Sequence, residues 1–260
     1  DYASDTATAL IKGNLPTEHS NGGGTGSNSY GYCLGGEAPS PSSNVRRSDY
    51  ANDTETAAPK GSLAAAGSYI ASVGNNNYGY TGGRSGNWPS VPNNYSIIDR
   101  VDYSNDTATA TVPNATGFSP GSNSYGGVGN QSYGYFAGGY DNPYGDHRST
   151  VRRLDYSNDS ATTSPKGPLN FKSGNIAATG NADYGWNHST PYGNSGSTIN
   201  RIDYANDTAT ASPRGNLNNN GSKRAATGSA NYGYFTGGIP TYSNVERIDY
   251  ASDSATASPK

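Results

Sequence analysis

The 260-residue chain carries 17 Lys and Arg against 20 Asp and Glu, and no basic run exceeds Arg46-Arg47 or Arg152-Arg153. This balance excludes a nucleic-acid binder that works by neutralising phosphates, and no stretch approaches the ~20 apolar residues of a membrane-crossing helix. Hydrophobic residues make up only 31% of the chain, below the ~45–50% of ordinary globular domains. They nevertheless recur at fixed intervals and 22 Tyr supply aromatic area, which argues for ordered strands with small side chains between them rather than disorder.

The chain opens on Asp1-Tyr2-Ala3-Ser4-Asp5-Thr6, and the Asp-Tyr phrase returns at Asp49, Asp102, Asp155, Asp203 and Asp249, in steps of 48, 53, 53, 48 and 46 residues. A fixed period near 50 marks an array of like units. The units run over about 1–48, 49–101, 102–154, 155–202 and 203–248, with a partial copy at 249–260, and together form one repeat domain. The phrase occurs once more than the motif described next, so the expectation is a stretch of a longer array. Ahead of each phrase the pattern has period two: Val245, Arg247 and Asp249 share one parity, Ile248 and Tyr250 the other. That is the signal of a strand. Ala251-Ser252-Asp253-Ser254 supplies turn formers. Ala255-Thr256-Ala257 is then expected as a second short strand, stopped by Pro259.

A second motif stands between the phrases. Tyr-Gly-Tyr occurs at Tyr30, Tyr78, Tyr133 and Tyr232, and as Tyr184-Gly185-Trp186 in the fourth unit. A glycine doublet follows at Gly35-Gly36, Gly82-Gly83, Gly138-Gly139 and Gly237-Gly238, and is missing from the fourth unit. In the fifth unit Ala225–Gly228 and Tyr232–Thr236 read as two small strands around a turn at Ser229-Ala230-Asn231. The single cysteine, Cys33, rules out an internal disulfide framework; it aligns with Thr81, Phe136 and Phe235 and is expected to fill core space. Four short antiparallel strands per unit of about 50 residues describe the blade of a β-propeller. The fold expected is therefore all-β, with about five four-stranded antiparallel blades and no sizeable helix.

The order of small strand, aromatic strand, Gly-Gly, long loop and Arg-Ile-Asp-Tyr strand resembles kelch-type propeller repeats, although the Trp such repeats carry in their last strand is replaced here by Thr-Ala-Thr-Ala. The longer phrase that begins Arg201-Ile202-Asp203-Tyr204-Ala205-Asn206-Asp207 resembles repeats in virion proteins of tailed phages of marine cyanobacteria. That resemblance implies a setting in the virion, as a tail-fibre or decoration protein that meets other virion proteins or the host surface; self-association as a homo-oligomer is compatible with it.

Spacing separates frame from variation. From Asp-Tyr to the next Tyr-Gly the distance is 29, 29, 31, 29 and 29 residues, whereas from Tyr-Gly to the next Asp-Tyr it is 19, 24, 22, 19 and 17. The variable segment follows the glycine doublet. In a four-stranded blade it emerges on the face that carries the blade-to-blade connections, opposite the Asn-Asp-Thr turns. These segments hold Trp88, Tyr95, Tyr140, Tyr144, His147, Tyr192 and Tyr242. Flat aromatic faces stack on the apolar side of a sugar ring, and neighbouring amides bind its hydroxyls. The expected function is thus non-enzymatic adhesion to a host surface glycan or another virion protein. The alternatives are a propeller glycan hydrolase or lyase, and a secreted lectin-like module.

Other residues fit this frame without adding chemistry. Arg47, Arg100, Arg153, Arg201 and Arg247 each stand two before Asp49, Asp102, Asp155, Asp203 and Asp249, on the same strand face. Each pair is expected to hydrogen-bond as part of the scaffold. Asp102, Asn105 and Asp106 lack the glycine and distant Glu of a calcium loop, and Asn-Asp-Thr at Asn52, Asn105 and Asn206 reads as turn chemistry rather than a glycosylation site. No cofactor or metal is expected. His19, His147 and His188 show neither metal-ligand spacing nor a nucleophile elbow. Asp141, Asp146 and Asp183 are the carboxylates that could converge for glycoside cleavage.

Overall fold

A computed structural model describes residues 2–37, 39–85, 96–114, 117–118, 123–141, 146–190 and 196–260. Five antiparallel sheets follow one another along the chain as the blades of a five-bladed β-propeller. The first blade is β1 (Gly23–Gly26), β2 (Tyr30–Leu34), β3 (Val45–Asp49) and β4 (Ala58–Pro59), and the second is β5 (Ala71–Gly74), β6 (Tyr78–Gly82), β7 (Ile98–Asp102) and β8 (Thr111–Asn114). The third is β9 (Asn123–Gly129), β10 (Tyr133–Asp141), the short β11 (Asp146–His147), β12 (Val151–Asp155) and β13 (Ser164–Lys166). The fourth is β14 (Ala177–Gly180), β15 (Tyr184–His188), β16 (Gly196–Asp203) and β17 (Ser212–Gly221), and the fifth β18 (Ala225–Gly228), β19 (Tyr232–Thr236), β20 (Val245–Asp249) and β21 (Ser258–Pro259).

One register repeats in every blade. The tyrosine of Tyr-Gly lies opposite the aspartate of Asp-Tyr: Tyr30 faces Asp49, Tyr78 faces Asp102, Tyr133 faces Asp155, Tyr184 faces Asp203 and Tyr232 faces Asp249. The chain then leaves the third strand through a tight 3-10 turn. The outermost strand of the fifth blade forms at Ser258–Pro259, beyond the expected Ala255-Thr256-Ala257. The alanine run is drawn toward the preceding blade, where Ala257 N donates to Asn216 O at 2.8 Å. Proline is tolerated in so short an edge strand, where one ladder donor is dispensable.

The apolar residues gather between blades rather than within them. Tyr32, Leu34 and Val45 of the first blade enclose Val101 of the second, and Val128, Tyr135 and Val151 of the third enclose Ile202 and Tyr204 of the fourth. Each fully buried aliphatic or aromatic side chain contributes about 1.5–3 kcal/mol. Aromatic rings from successive blades stack at the same position: Tyr32 on Tyr103, Tyr80 on Tyr156, Tyr135 on Tyr204 and Trp186 on Tyr250, with centroids 4.8, 4.9, 4.8 and 3.9 Å apart.

The arginines take a partner other than the one expected. Arg47, Arg100, Arg153 and Arg201 donate to Asp106, Asp159, Asp207 and Asp253 of the following blade at 2.8, 2.7, 2.8 and 3.0 Å. Arg247 donates to Asp5 at 2.7 Å. Asp49, Asp102, Asp155, Asp203 and Asp249 instead cap the 3-10 turns, accepting from the backbone N–H two residues on at 2.9, 2.9, 2.9, 3.0 and 2.9 Å. Two causes separate the pairs. The turn occupies the nearer carboxylate, and each guanidinium lies over the tyrosine of its own second strand, as Arg47 lies 4.1 Å from the Tyr30 centroid and Arg153 4.2 Å from that of Tyr133. This cation–π contact aims the arginine out of its sheet.

The glycine doublet serves the crossing between blades. Gly138 and Gly139 have φ of 69° and 102°, and Gly139 N donates to Ser173 O of the connector at 2.9 Å. A Cβ on Gly138 would lie 2.4 Å from Ile176 Cδ1, so the close approach demands glycine.

Replacing Arg201 by Ala should lower the unfolding free energy by about 1–3 kcal/mol, because Asp253 keeps its burial and loses its main cation. Replacing Asp203 by Ala removes a turn cap and should cost about 1 kcal/mol. Urea denaturation of both variants checks the ordering; a larger loss for Asp203→Ala would overturn the cross-blade assignment.

Candidate functional site

Each connector enters its blade through a residue five positions before the glycine that closes the first strand. These residues are Asn21, Tyr69, Ser124, Asn175 and Lys223, with φ of 53°, 56°, 59°, 53° and 53°. Among the described residues they account for every non-glycine residue at positive φ. A side chain in the left-handed region costs roughly 1–2 kcal/mol, and such strain collects at functional sites. Backbone bonds link the ring: Ser124 N donates to Tyr69 O and Asn175 N to Ser124 O, each at 3.0 Å, and Ile70 N donates to Asn21 O at 3.4 Å.

The five residues surround a cavity of about 260 Å³ at the centre of one face, with Tyr125 and Arg224 also in its wall. A second cavity of about 280 Å³ adjoins it and is lined by Tyr69, Ser124, Asn175 and Lys223 together with Tyr140 and His147. Two of the aromatics expected from the variable segments therefore meet here. The Tyr140 and His147 rings stand edge to face at 5.3 Å. Tyr242 lies apart, under Arg224 at 5.4 Å, and its hydroxyl donates to Asn220 O at 3.0 Å. Trp88, Tyr95, Tyr144 and Tyr192 fall outside the described residues.

Behind the mouth, four blades set an arginine against a polar partner, buried in the case of Arg46, Arg84 and Arg224 and part-exposed in that of Arg148. Arg46 meets His19 Nδ1 at 3.2 Å, Arg84 pairs with Asp99, Arg148 with Asp141, and Arg224 with Glu246 at 3.6 Å. The fourth blade differs. Asn187 and Asn200 face each other in register and are fully buried, with no partner for either amide group among the described residues. Beside them His188 bonds Gly196 O at 3.0 Å through Nε2, so that nitrogen is the donor. Burial depresses its pKa to about 4 despite that bond, and burial likewise lowers His147, where Asp146 pulls the other way. Both rings are neutral at pH 7.

Asp141 and Asp146 face each other in register across β10 and β11, but each is engaged by a cation, and Asp183 does not join them. Asp141 is held by Arg148, Asp146 accepts from Lys172 at 2.6 Å, and Asp183 sits in the β14–β15 turn, where its carbonyl accepts from Tyr204 N at 3.0 Å. Among the described residues no three His, Cys, Asp or Glu side chains come together as metal ligands. The ring at the mouth escaped the motif reading because Asn, Tyr, Ser and Lys share no chemistry. Their constant distance from the strand-closing glycine is the signal that would have found them.

Two outcomes are expected. Lys223→Gly should raise stability by up to about 1 kcal/mol, since Lys223 is exposed and glycine relieves its backbone strain; equilibrium denaturation measures it. His188 has a lower pKa folded than unfolded, so its share of stability is complete above about pH 6.5 and drains as pH falls toward about 4. Ring-proton NMR titration should place the His188 midpoint near the lower figure, and a midpoint at or above the higher one would refute the buried neutral ring.

No family model and no curated protein matches the chain. Among solved structures, that of YjhT is similar with a TM-score of 0.71 at 12% identity, over 88% of this chain and 74% of the other. At that identity the likeness is one of fold alone.

Proposed function

We propose that the chain is a non-enzymatic binding propeller that takes a saccharide ring of a surface glycan at the axial mouth. The ring of five strained residues around that mouth carries the reading. A frame that holds Asn21, Tyr69, Ser124, Asn175 and Lys223 in a costly backbone state presents hydroxyl, amide and ammonium groups toward one small space. Tyr140 and His147 add aromatic edges and faces beside it. Aromatic faces with short polar groups suit a pyranose. The virion setting that the Arg-Ile-Asp-Tyr phrase resembles gives such binding a purpose, as adhesion to a host surface. Cleavage is the weaker reading, because Asp141 and Asp146 are each engaged by a cation and Asp183 stands away from the mouth.

Titration with host-surface polysaccharide, followed by calorimetry, tests the proposal. Tyr140→Ala should weaken binding about tenfold, equivalent to about 1.4 kcal/mol, with thermal stability nearly unchanged. Equal binding by the variant would refute the mouth as the site, and new reducing ends after incubation would turn the reading to a hydrolase.

A further inference from the structure

Residues 2–14 build no blade, yet they hold the place of one. Toward the fifth blade they repeat the contacts that each blade makes with the one before. The Tyr2 ring stacks on Tyr234 at 5.2 Å, and its hydroxyl meets Thr227 Oγ1 at 2.8 Å, as Tyr250 meets Thr179 at 2.9 Å and Tyr103 meets Thr25 at 2.8 Å. Asp5 accepts from Arg247 at 2.7 Å and from the Tyr234 hydroxyl at 2.9 Å. Toward the first blade they repeat the contacts each blade makes with the one after. Gly13 N donates to Asp53 O at 2.7 Å, as Gly61 N donates to Asp106 O at 2.8 Å and Gly215 N to Asp253 O at 2.7 Å. Lys12 lies 3.2 Å from Asp53, as Lys60 lies 3.3 Å from Asp106. The segment thus has the position of a last turn and outer strand, standing between the fifth blade and the first.

The inner strands of that position are unfilled. β1 lies along β5, β5 along β9, β9 along β14 and β14 along β18, but among the described residues β18 makes no contact of that extent with β1. Asp53 has Lys12 as its sole ion-pair partner among the described residues, where Asp106 has both Arg47 and Lys60. Tyr50 is 55% exposed, whereas Tyr204 and Tyr250 at the same repeat position are 9% exposed. Leu15 is 36% exposed against 2% for Leu63, Leu169 and Leu217. Leu10 and Ile11, in the outer-strand position, are 79% and 95% exposed. A Cβ on Gly35 would meet Ile70 at 2.3 Å, while one on Gly237 would meet nothing within 4 Å. Among the described residues six large hydrophobic side chains are exposed, and five of them, Tyr2, Leu10, Ile11, Leu15 and Tyr50, belong to this segment or to the first blade beside it.

We infer that a further three-stranded unit of this same repeat, running in line into residue 2, fills the gap between the fifth blade and the first. The gap states the chemistry it needs. The second strand of the incoming unit brings an aromatic ring onto Tyr50, with a donor for Asp53. The third strand brings an arginine to the same carboxylate and a ladder for residues 10–11. The continuity of residues 2–14 with the outer strand of that unit selects an in-line segment over a separate partner. The first blade turns the small Cys33 and Ser48 toward the space, where the third turns Phe136 and Leu154 toward the second.

The experiment joins a copy of residues 221–248 directly before residue 1, which continues the strand as Val-Glu-Arg-Ile-Asp-Tyr. The 260-residue chain and the extended chain are compared by thermal unfolding and by the rate at which Cys33, the single thiol, reacts with an aromatic disulfide reagent. The extended chain should melt about 5 °C higher or more, and its thiol should react about tenfold more slowly. Asp53→Asn should remove most of the gain in the extended chain and leave the 260-residue chain nearly unchanged. Equal melting and equal thiol rates would overturn the inference, as would an equal effect of Asp53→Asn on both chains. A dimer of the 260-residue chain with Cys33 protected, seen by sedimentation, would overturn the in-line assignment in favour of a second copy. Trypsin offers an independent reading: the added Lys and Arg should resist cleavage when docked, and cleavage as fast as in an unfolded peptide counts against docking.

Discussion

One carboxylate at each junction gathers the donors of the blade before it. Asp207 accepts from the Arg153 guanidinium at 2.8 Å and the Tyr135 hydroxyl at 2.9 Å, and lies 3.1 Å from Lys166, all three from the third blade. Burial pushes its pKa up, but the donors outweigh burial and hold it below the usual carboxylate range. Asp106 repeats the arrangement with Arg47, Tyr32 and Lys60. Charge-assisted bonds of this kind are about twice as strong as neutral ones, and the aromatic stacks beside them exclude water. A single blade has little apolar surface of its own, so its order comes from its neighbours.

That dependence explains where the chain tolerates variety. The arginines, stacked aromatics and aspartates that bind blade to blade lie on the second and third strands and in the Asp-Tyr turn, and the register of those two strands is the same in all five blades. Among the described residues, the segment after the glycine doublet carries none of these arginines, tyrosines or aspartates. It is free to differ in length and side chains, and in the third blade it brings Tyr140 and His147 to the mouth. Even the stacked tyrosines show local choice: Tyr103 and Tyr250 find a threonine partner, while the Tyr156 and Tyr204 hydroxyls, next to Val73 and Val128, are buried without one.

Much of this was legible in the sequence, and the remainder was hidden for identifiable reasons. The period and the alternation around Tyr30 and Asp49 give strands, register and blade count, because strand chemistry is local. Parity also places Arg47 and Asp49 on one face, yet it cannot say that the acceptor lies 59 residues further on, since that depends on how sheets stack. The outer strand was misplaced by three residues because the Ala-Thr-Ala run has strand propensity and packing claims it first. At the mouth, Tyr140 and His147 were visible as aromatics in a variable segment. Asn21, Tyr69, Ser124, Asn175 and Lys223 were not, because their shared property is a backbone angle imposed by the crossing connectors.

The junction has a direction, with the donors on one side of each blade and the acceptor on the other. Every unit presents the same arginine donor on one edge and the same aspartate acceptor on the other, so one unit can follow another without remaking that bond. Duplication or exchange of one period between gene copies keeps the arginine–aspartate bond of each junction while it replaces the segment after the glycine doublet. A face built in this way is renewed by recombination in a single event, with the arginine–aspartate frame kept.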